Sequence, residues 1–191
     1  MKQSKNIRNM LRTIGNDMIN IYTDGGCHNT DVSGMLGRGS WAFVEFADDN
    51  DLVEVRCGGL IDTTNNRTEM LAVINAIKFH PEHTPLNIIS DSGYLVKGYN
   101  HPAYLDAWIK RGWRTSTGDE VKNQDLWQEL IALTYRYPIK FQLIKGHDKD
   151  PNPVHAYWNS IVDKACTHMI KSGLQIQTTM TFNVKEKRFI I

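Results

Sequence analysis

Hydrophobic and polar positions along this chain change period several times, and each change marks an element. Residues 18–23, 40–46 and 52–61 are β-rich apolar runs parted by Gly- and Asp-rich turns, the pattern of strands joined as hairpins. The acidic stretch 48–51 reads as a hairpin tip, because it lacks the spaced oxygen ligands and terminal glutamate of an EF-hand loop. The period then lengthens: Met70, Val73, Ile74 and Ile77 fall on one helical face. Residues 86–90 form a short apolar run. Residues 92–136 read as mostly helical, with breaks at Gly98, Gly112 and the loop 115–119. Residues 139–144 alternate as a last strand. After the start signal Asn152-Pro153, Trp158, Ile161, Val162, Ala165 and Met169 line another apolar helical face. Residues 176–191 look β-like and are expected to lie beyond the domain. Strands in hairpins first, then strands alternating with helices, predict an α/β fold with a mixed sheet and helices on its faces. Nothing repeats at a solenoid period.

A length of 191 residues supports one domain with some excess for tails. The expected division is a basic N-terminal extension (1–17), a domain (18–171) and a C-terminal extension (172–191). The first segment carries Lys2, Lys5, Arg8 and Arg12 and no acid before Asp17, with Ile7, Met10, Leu11 and Ile14 at helical spacing. It reads as a frayed or surface-packed extension, with a basic nucleic-acid arm or a targeting peptide as the alternatives. A net charge of +1 gives no global basic field, so a nucleic-acid partner needs a local patch. Three cysteines, Cys27, Cys57 and Cys166, without a CxxC pair argue for a reducing compartment and against structural zinc. No apolar run approaches the roughly 18 residues of a membrane span, and no signal-peptide core precedes a cleavage site. The expectation is a soluble cytoplasmic protein with no membrane partner.

Four acids change the picture. Asp24 and Asp91 each follow an apolar strand-like run, Glu69 opens a helix-like run, and Asp163 lies inside the last one. Each has an ordinary reading. Asp24-Gly25 is a common turn signal. Asn66 with Glu69 fits a capping box. Asp91-Ser92 fits an N-cap. Asp163 lies too deep in its helix for a cap but suits a solvated face. Together the four read differently. Ligands of open α/β sheets favour the carboxyl ends of strands, a rule stated for parallel sheets. Converging carboxylates repel one another unless cations neutralise them. Oxygen ligands without a His/Cys set suit Mg²⁺ or Mn²⁺. Two such ions, about 3.5–4 Å apart, can clamp the attacking and leaving oxygens in phosphodiester cleavage.

Seven ordered motifs carry a resemblance: YTDGGC (22–27), TTNNRTE (63–69), SDSGY (90–94), WIKRGW (108–113), VKNQDLW (121–127), KGH (145–147) and NSIVD (159–163). Over roughly residues 19–170 the chain resembles ribonuclease H of the bacterial type 1. The resemblance implies a five-stranded mixed sheet with helices on both faces. It implies hydrolysis of the RNA strand of RNA–DNA hybrids by a monomer with two Mg²⁺ ions, Mn²⁺ being a possible substitute, leaving 5′-phosphate and 3′-hydroxyl ends. Asp24 would bridge both ions, Asp91 would hold the one that activates water, and Glu69 and Asp163 would help hold the other. A loop histidine is usually idle, but by resemblance His147 assists proton transfer or product departure, a role its titration range fits. Asn65 and Asn66 would contact the minor groove of the hybrid, with backbone groups near Gly25 and Cys27 sharing in that readout.

The segment containing Trp108, Lys110, Arg111, Trp113 and Lys122 mixes cations with aromatics, which suits a phosphate backbone. Its tryptophans also read as core anchors. By resemblance it is a basic handle on the DNA strand, with Thr64, Trp108 and Asn123 lining a DNA-phosphate pocket. Two rival readings are a hybrid-binding module without catalysis and another nuclease of the same superfold. The four acids and His147 argue against the first, the handle and the TTNNR motif against the second. Three departures stand out. Gly93 replaces a substrate-contacting Gln. The 28–38 loop is longer and lacks Asn-Pro-Gly. The 147–155 segment is expanded and reads either as a flap or, the preferred reading, as carrying merely solubilising acids.

Overall fold

The computed structural model describes residues 18–28, 37–47, 51–146 and 149–190. The N-terminal extension, most of the 28–38 loop, the hairpin tip at 48–50, and His147 lie outside the described residues. The strands are β1 (Ile19–His28), β2 (Gly37–Glu45), β3 (Leu52–Thr63), β4 (Leu86–Ser90), β5 (Ile139–Leu143), β6 (Gln177–Asn183) and β7 (Arg188–Ile190). The helices are α1 (Asn65–Phe79), α2 (Gly93–Tyr99), α3 (Pro102–Lys110), α4 (Gln124–Thr134) and α5 (Pro153–Ser172).

One mixed sheet has the order β5-β4-β1-β2-β3-β6-β7. β1 is its hinge between two pairing modes. It runs parallel to β4 from Ile19↔Leu86 to Thr23↔Ser90. It runs antiparallel to β2 from Ile21↔Glu45 to His28↔Arg38. The strand expected at 18–23 therefore continues to His28, because β2 goes on pairing after β4 has ended. Asp24 sits within β1, at the first residue beyond its parallel half.

Strand side chains alternate between faces, and here each face has its own core. Ile21, Phe43 and Ile88 pack with Val73, Ile77, Leu95, Trp127 and Leu130 on the α1/α2/α4 side. Tyr22, Val44 and Ile89 pack with Trp158, Ile161, Val162 and Met169 on the α5 side. Full burial of each such side chain contributes about 1.5–3 kcal/mol. The predicted apolar faces of α1 and α5 are both buried. Asn152 caps α5 through its side-chain oxygen, which accepts from Val154 N at 3.0 Å, and Pro153 occupies the first turn, where its missing N–H costs nothing.

Three expectations need correction. The sheet has seven strands rather than five. The extra two come from the segment expected to lie beyond the domain: β6 pairs antiparallel with β3 from Leu52↔Asn183 to Gly58↔Gln177, and β7 pairs with β6. Pairing covers the otherwise open edge of β3, and Phe182, 1% exposed, joins the α5-side core. Second, Gly98 does not break the helical stretch; it lies inside α2. A Cβ there would come within 2.8 Å of the Trp127 ring, so the glycine serves close packing. The break comes instead at Asn100–His101, before Pro102. Third, the capping box at Asn66–Glu69 does not form, because the helix starts earlier, with Thr64 as its N-cap.

Phe182→Ala is expected to lower unfolding free energy by about 3–5 kcal/mol in urea denaturation. A loss below about 1 kcal/mol would show that the hairpin is not part of the folded unit.

Candidate active site

All four acids line one cleft of about 660 Å³, where the C-terminal ends of β4 and β5 meet the middle of β1 and the outer face of α5. The parity of β1 turns Asp24 towards α5, and the Cys166 thiol of that helix donates to the Asp24 carbonyl at 3.5 Å. Gly25 faces the other way. A Cβ on it would come within 2.2 Å of Glu69 N, so only glycine lets α1 bring Glu69 this close to the strand.

The acids are held by protein donors. Asp24 Oδ1 accepts from Gly25 N at 2.8 Å. Glu69 Oε1 accepts from Asn65 Nδ2 at 2.8 Å, and Oε2 accepts from the Ser92 hydroxyl. Ser92, rather than Asp91, caps α2, since its Oγ also accepts from Leu95 N at 3.3 Å. Asp91 Oδ2 accepts from Asn159 Nδ2 at 3.1 Å. Asn159 lies one helical turn before Asp163, so both face the cleft. Gly146 backs onto Asp91 so closely that a Cβ there would sit 2.2 Å from Oδ2.

Burial pushes the Asp24 carboxyl up to about 8, and the charges of Asp91, Asp163 and Glu69 push it the same way, against the Gly25 N–H. Glu69 is also raised by burial, with the Ser92 hydroxyl opposing. Among the described residues no three acids, histidines or cysteines are drawn into a ready-made ion cage. The acids surround one space without closing on it. Asn159 Oδ1 is buried without a partner. An all-oxygen donor set, an orphaned oxygen beside it and a carboxyl destabilised by its neighbours' charges all fit a hard divalent cation.

Of the expected substrate contacts, Gly25, Cys27 and Asn65 line this cleft. Thr64, Asn66, Trp108, Lys110, Arg111, Trp113, Lys122 and Asn123 lie outside its lining. Trp108 packs edge-on against Trp127, with ring centroids 5.6 Å apart, and Trp113 packs on the same core, so both tryptophans are anchors as well as partly exposed. Lys110, Arg111 and Lys122 are exposed. Asn123 takes a left-handed conformation (φ 58°), and its Nδ2 donates to Tyr94 Oη at 3.2 Å. Trp127 Nε1 donates to the same oxygen at 3.0 Å, and that hydroxyl donates to Lys122 O. A side chain in place of Gly93 would enter open space, its nearest neighbour the end of Lys97 at 4.0 Å.

Sequence reasoning missed Ser92, Asn159 and Gly146 as supports of the acids. The i, i+4 spacing of Asn159 and Asp163 was a usable signal for Asn159; the Ser92–Glu69 and Gly146–Asp91 contacts join distant parts of the chain and carried none. Asp150 also departs from the solubilising reading. Its carboxylate accepts from Lys145 N and Asn152 N, at 2.8 and 2.9 Å, and ties the two ends of the expanded loop together.

A mixed sheet with acids gathered where its parallel strands end, flanked by helices on both faces, defines an α/β domain with a carboxylate-lined site. The comparisons with known proteins place it further. The RNase H family model matches residues 16–171, and the chain belongs to the RNase H family. It is 39% identical over 155 residues to a ribonuclease H of Acetivibrio thermocellus, covering 81% of this chain and 96% of that one. LC9-RNase H1, a type 1 RNase H with the type 2 active-site motif, superposes with a TM-score of 0.68 at 20% identity, covering 86% of this chain and 76% of that one. LC11-RNase H1, solved in complex with an RNA/DNA hybrid, gives a TM-score of 0.52 at 18% identity, covering 81% and 98%. The chain is thus a ribonuclease H enzyme, and no helix among the described residues is long and apolar enough to cross a membrane.

The raised Asp24 carboxyl makes a stability prediction. A carboxyl that titrates higher when folded than when unfolded binds more protons in the folded state, so stability falls as pH rises from about 4 to 8. Asp24→Asn removes that dependence. In EDTA, its melting temperature relative to the unaltered protein should rise steadily across this window. A constant offset would contradict the assigned electrostatics.

Proposed function

We propose that this enzyme cleaves the RNA strand of RNA–DNA hybrids endonucleolytically by a two-metal-ion mechanism, leaving 5′-phosphate and 3′-hydroxyl ends. One observation carries the reading: the four acids of the family's motifs line a single cleft, and three of them raise the fourth. Asp24 is assigned to both ions, Asp91 to one, and Glu69 and Asp163 to the other. Mg²⁺ is the assigned cation, with Mn²⁺ able to replace it. When bound, such ions supply Lewis acidity to water and to the phosphate oxygens.

The chain's own residues do the rest. Asn159, Ser92 and Asn65 orient Asp91 and Glu69, so the carboxylates need little rearrangement. Asn65 and Asn66, with backbone groups at Gly25 and Cys27, read the minor groove and its 2′-hydroxyls. Lys110, Arg111, Trp113 and Lys122 grip the DNA strand, and Thr64, Trp108 and Asn123 receive one of its phosphates. Asn123 is held for this by the Tyr94 hydroxyl. His147 moves a proton at the leaving group or helps product depart. The protein acts as a monomer.

The test is incubation of purified protein with labelled RNA–DNA hybrid, with and without Mg²⁺, beside single-stranded and duplex RNA. Mg²⁺-dependent cleavage confined to the hybrid is expected, with turnover lowered in His147→Ala and hybrid affinity lowered in Lys110→Ala/Arg111→Ala. Equal cleavage of all three substrates, or none of the hybrid, would reject the activity. Unchanged turnover or unchanged affinity in those variants would reject the corresponding role.

A further inference from the structure

The acid cleft does not end at the acids. It continues along α5, whose cleft-facing side carries Ser160, Asp163, Thr167 and Lys171. Spacings of three, four and eight residues keep these on one helical face. At about 1.5 Å per residue, Lys171 lies roughly 12 Å along the helix from Asp163. Lys145 and Lys149 line the same cleft at its Asp91 end, flanking Gly146, which backs onto Asp91 and whose carbonyl accepts from Lys149 N. All three lysines are exposed, and among the described residues none is ion-paired with a carboxylate. An acidic floor repels a polyanion, so a phosphodiester strand laid across it needs cations to either side. One strand presents a charge about every 3.4 Å of axis, so 12 Å spans three to four phosphates.

We infer that Lys149 and Lys171 bind backbone phosphates of the RNA strand on opposite sides of the bond being cut, with Thr167 offering a hydroxyl along the same track. This rests on the hybrid-cleaving activity proposed above. The strand follows from position. The cut strand has its scissile phosphate at the acids, and Lys171 shares both helix and cleft with Asp163. The cations assigned to the DNA strand, Lys110, Arg111 and Lys122, lie outside that cleft. The inference extends recognition several nucleotides beyond the reaction centre, along a helix whose known motif ends at Asp163.

The experiment measures hybrid affinity in EDTA against sodium chloride concentration for the unaltered protein, Lys149→Ala, Lys171→Ala and Lys140→Ala. Lys140 is an exposed cation at the start of β5, the end of the strand remote from the cleft. Lys149→Ala and Lys171→Ala should each reduce the slope of log affinity against log salt by about 1, and Lys140→Ala should leave it unchanged. With uncharged methylphosphonate linkages in the RNA strand, the difference between these variants and the unaltered protein should vanish; with the same linkages in the DNA strand, it should persist. Unchanged slopes in both variants, or a difference that vanishes only with the neutral DNA strand, would overturn the inference. Cleavage of hybrid by the unaltered protein is measured alongside: its absence would overturn the activity itself, whereas its presence with unchanged slopes would overturn only the lysine track.

Discussion

Mutual repulsion among four carboxylates is the constraint the rest of this structure serves. The Asp24 carboxyl is buried beside three other acids, and burial together with their charge lifts it to about 8. Left to itself such a cluster would spread apart or take up protons. The fold resists the spreading by taking the acids from different parts of the chain and fixing three of them with hydrogen-bond donors. Gly25 N holds Asp24, Ser92 and Asn65 hold Glu69, and Asn159 holds Asp91. What remains unrelieved is charge, which is the ground for proposing a divalent cation as its partner.

The sheet gives this arrangement its stiffness. β1 is paired on both sides along Ile21–Thr23, and its parallel partner stops one residue before Asp24. Asp24 thus gains a rigid backbone and an open side at the same point. On the opposite wall, α5 must hold both Asp163 and Asn159 in register. Its buried face packs on the core that Phe182 of β6 completes. The C-terminal hairpin therefore acts at a distance on the site, by bracing the helix that carries two of its residues.

The parts of this picture that were legible in the sequence are those governed by local period and by motif. The apolar faces of α1 and α5 follow from 3.6-residue spacing, and Asn152-Pro153 marked the start of α5. The four acids were legible through their order and their motifs. The unread parts depend on partners distant in sequence. β1 runs past Asp24 because β2 continues beside it, which its own residues do not announce. Gly98 stands inside α2 because the Trp127 ring occupies the space a Cβ would take. Residues 177–183 become a sheet strand because β3 has an open edge. Ser92 serves both as a helix cap and as a donor to Glu69, and only the cap is visible locally.

The central proposal is that a cation binding at this site displaces a proton from the Asp24 carboxyl, which burial and its neighbours' charges raise to about 8. Calorimetric titration of Mn²⁺ into the protein at pH 7, in two buffers of different ionisation enthalpy, measures this directly. The account predicts proton release on binding, and loss of that release in Asp24→Asn. Binding without proton release, or with the same release in Asp24→Asn, would contradict it.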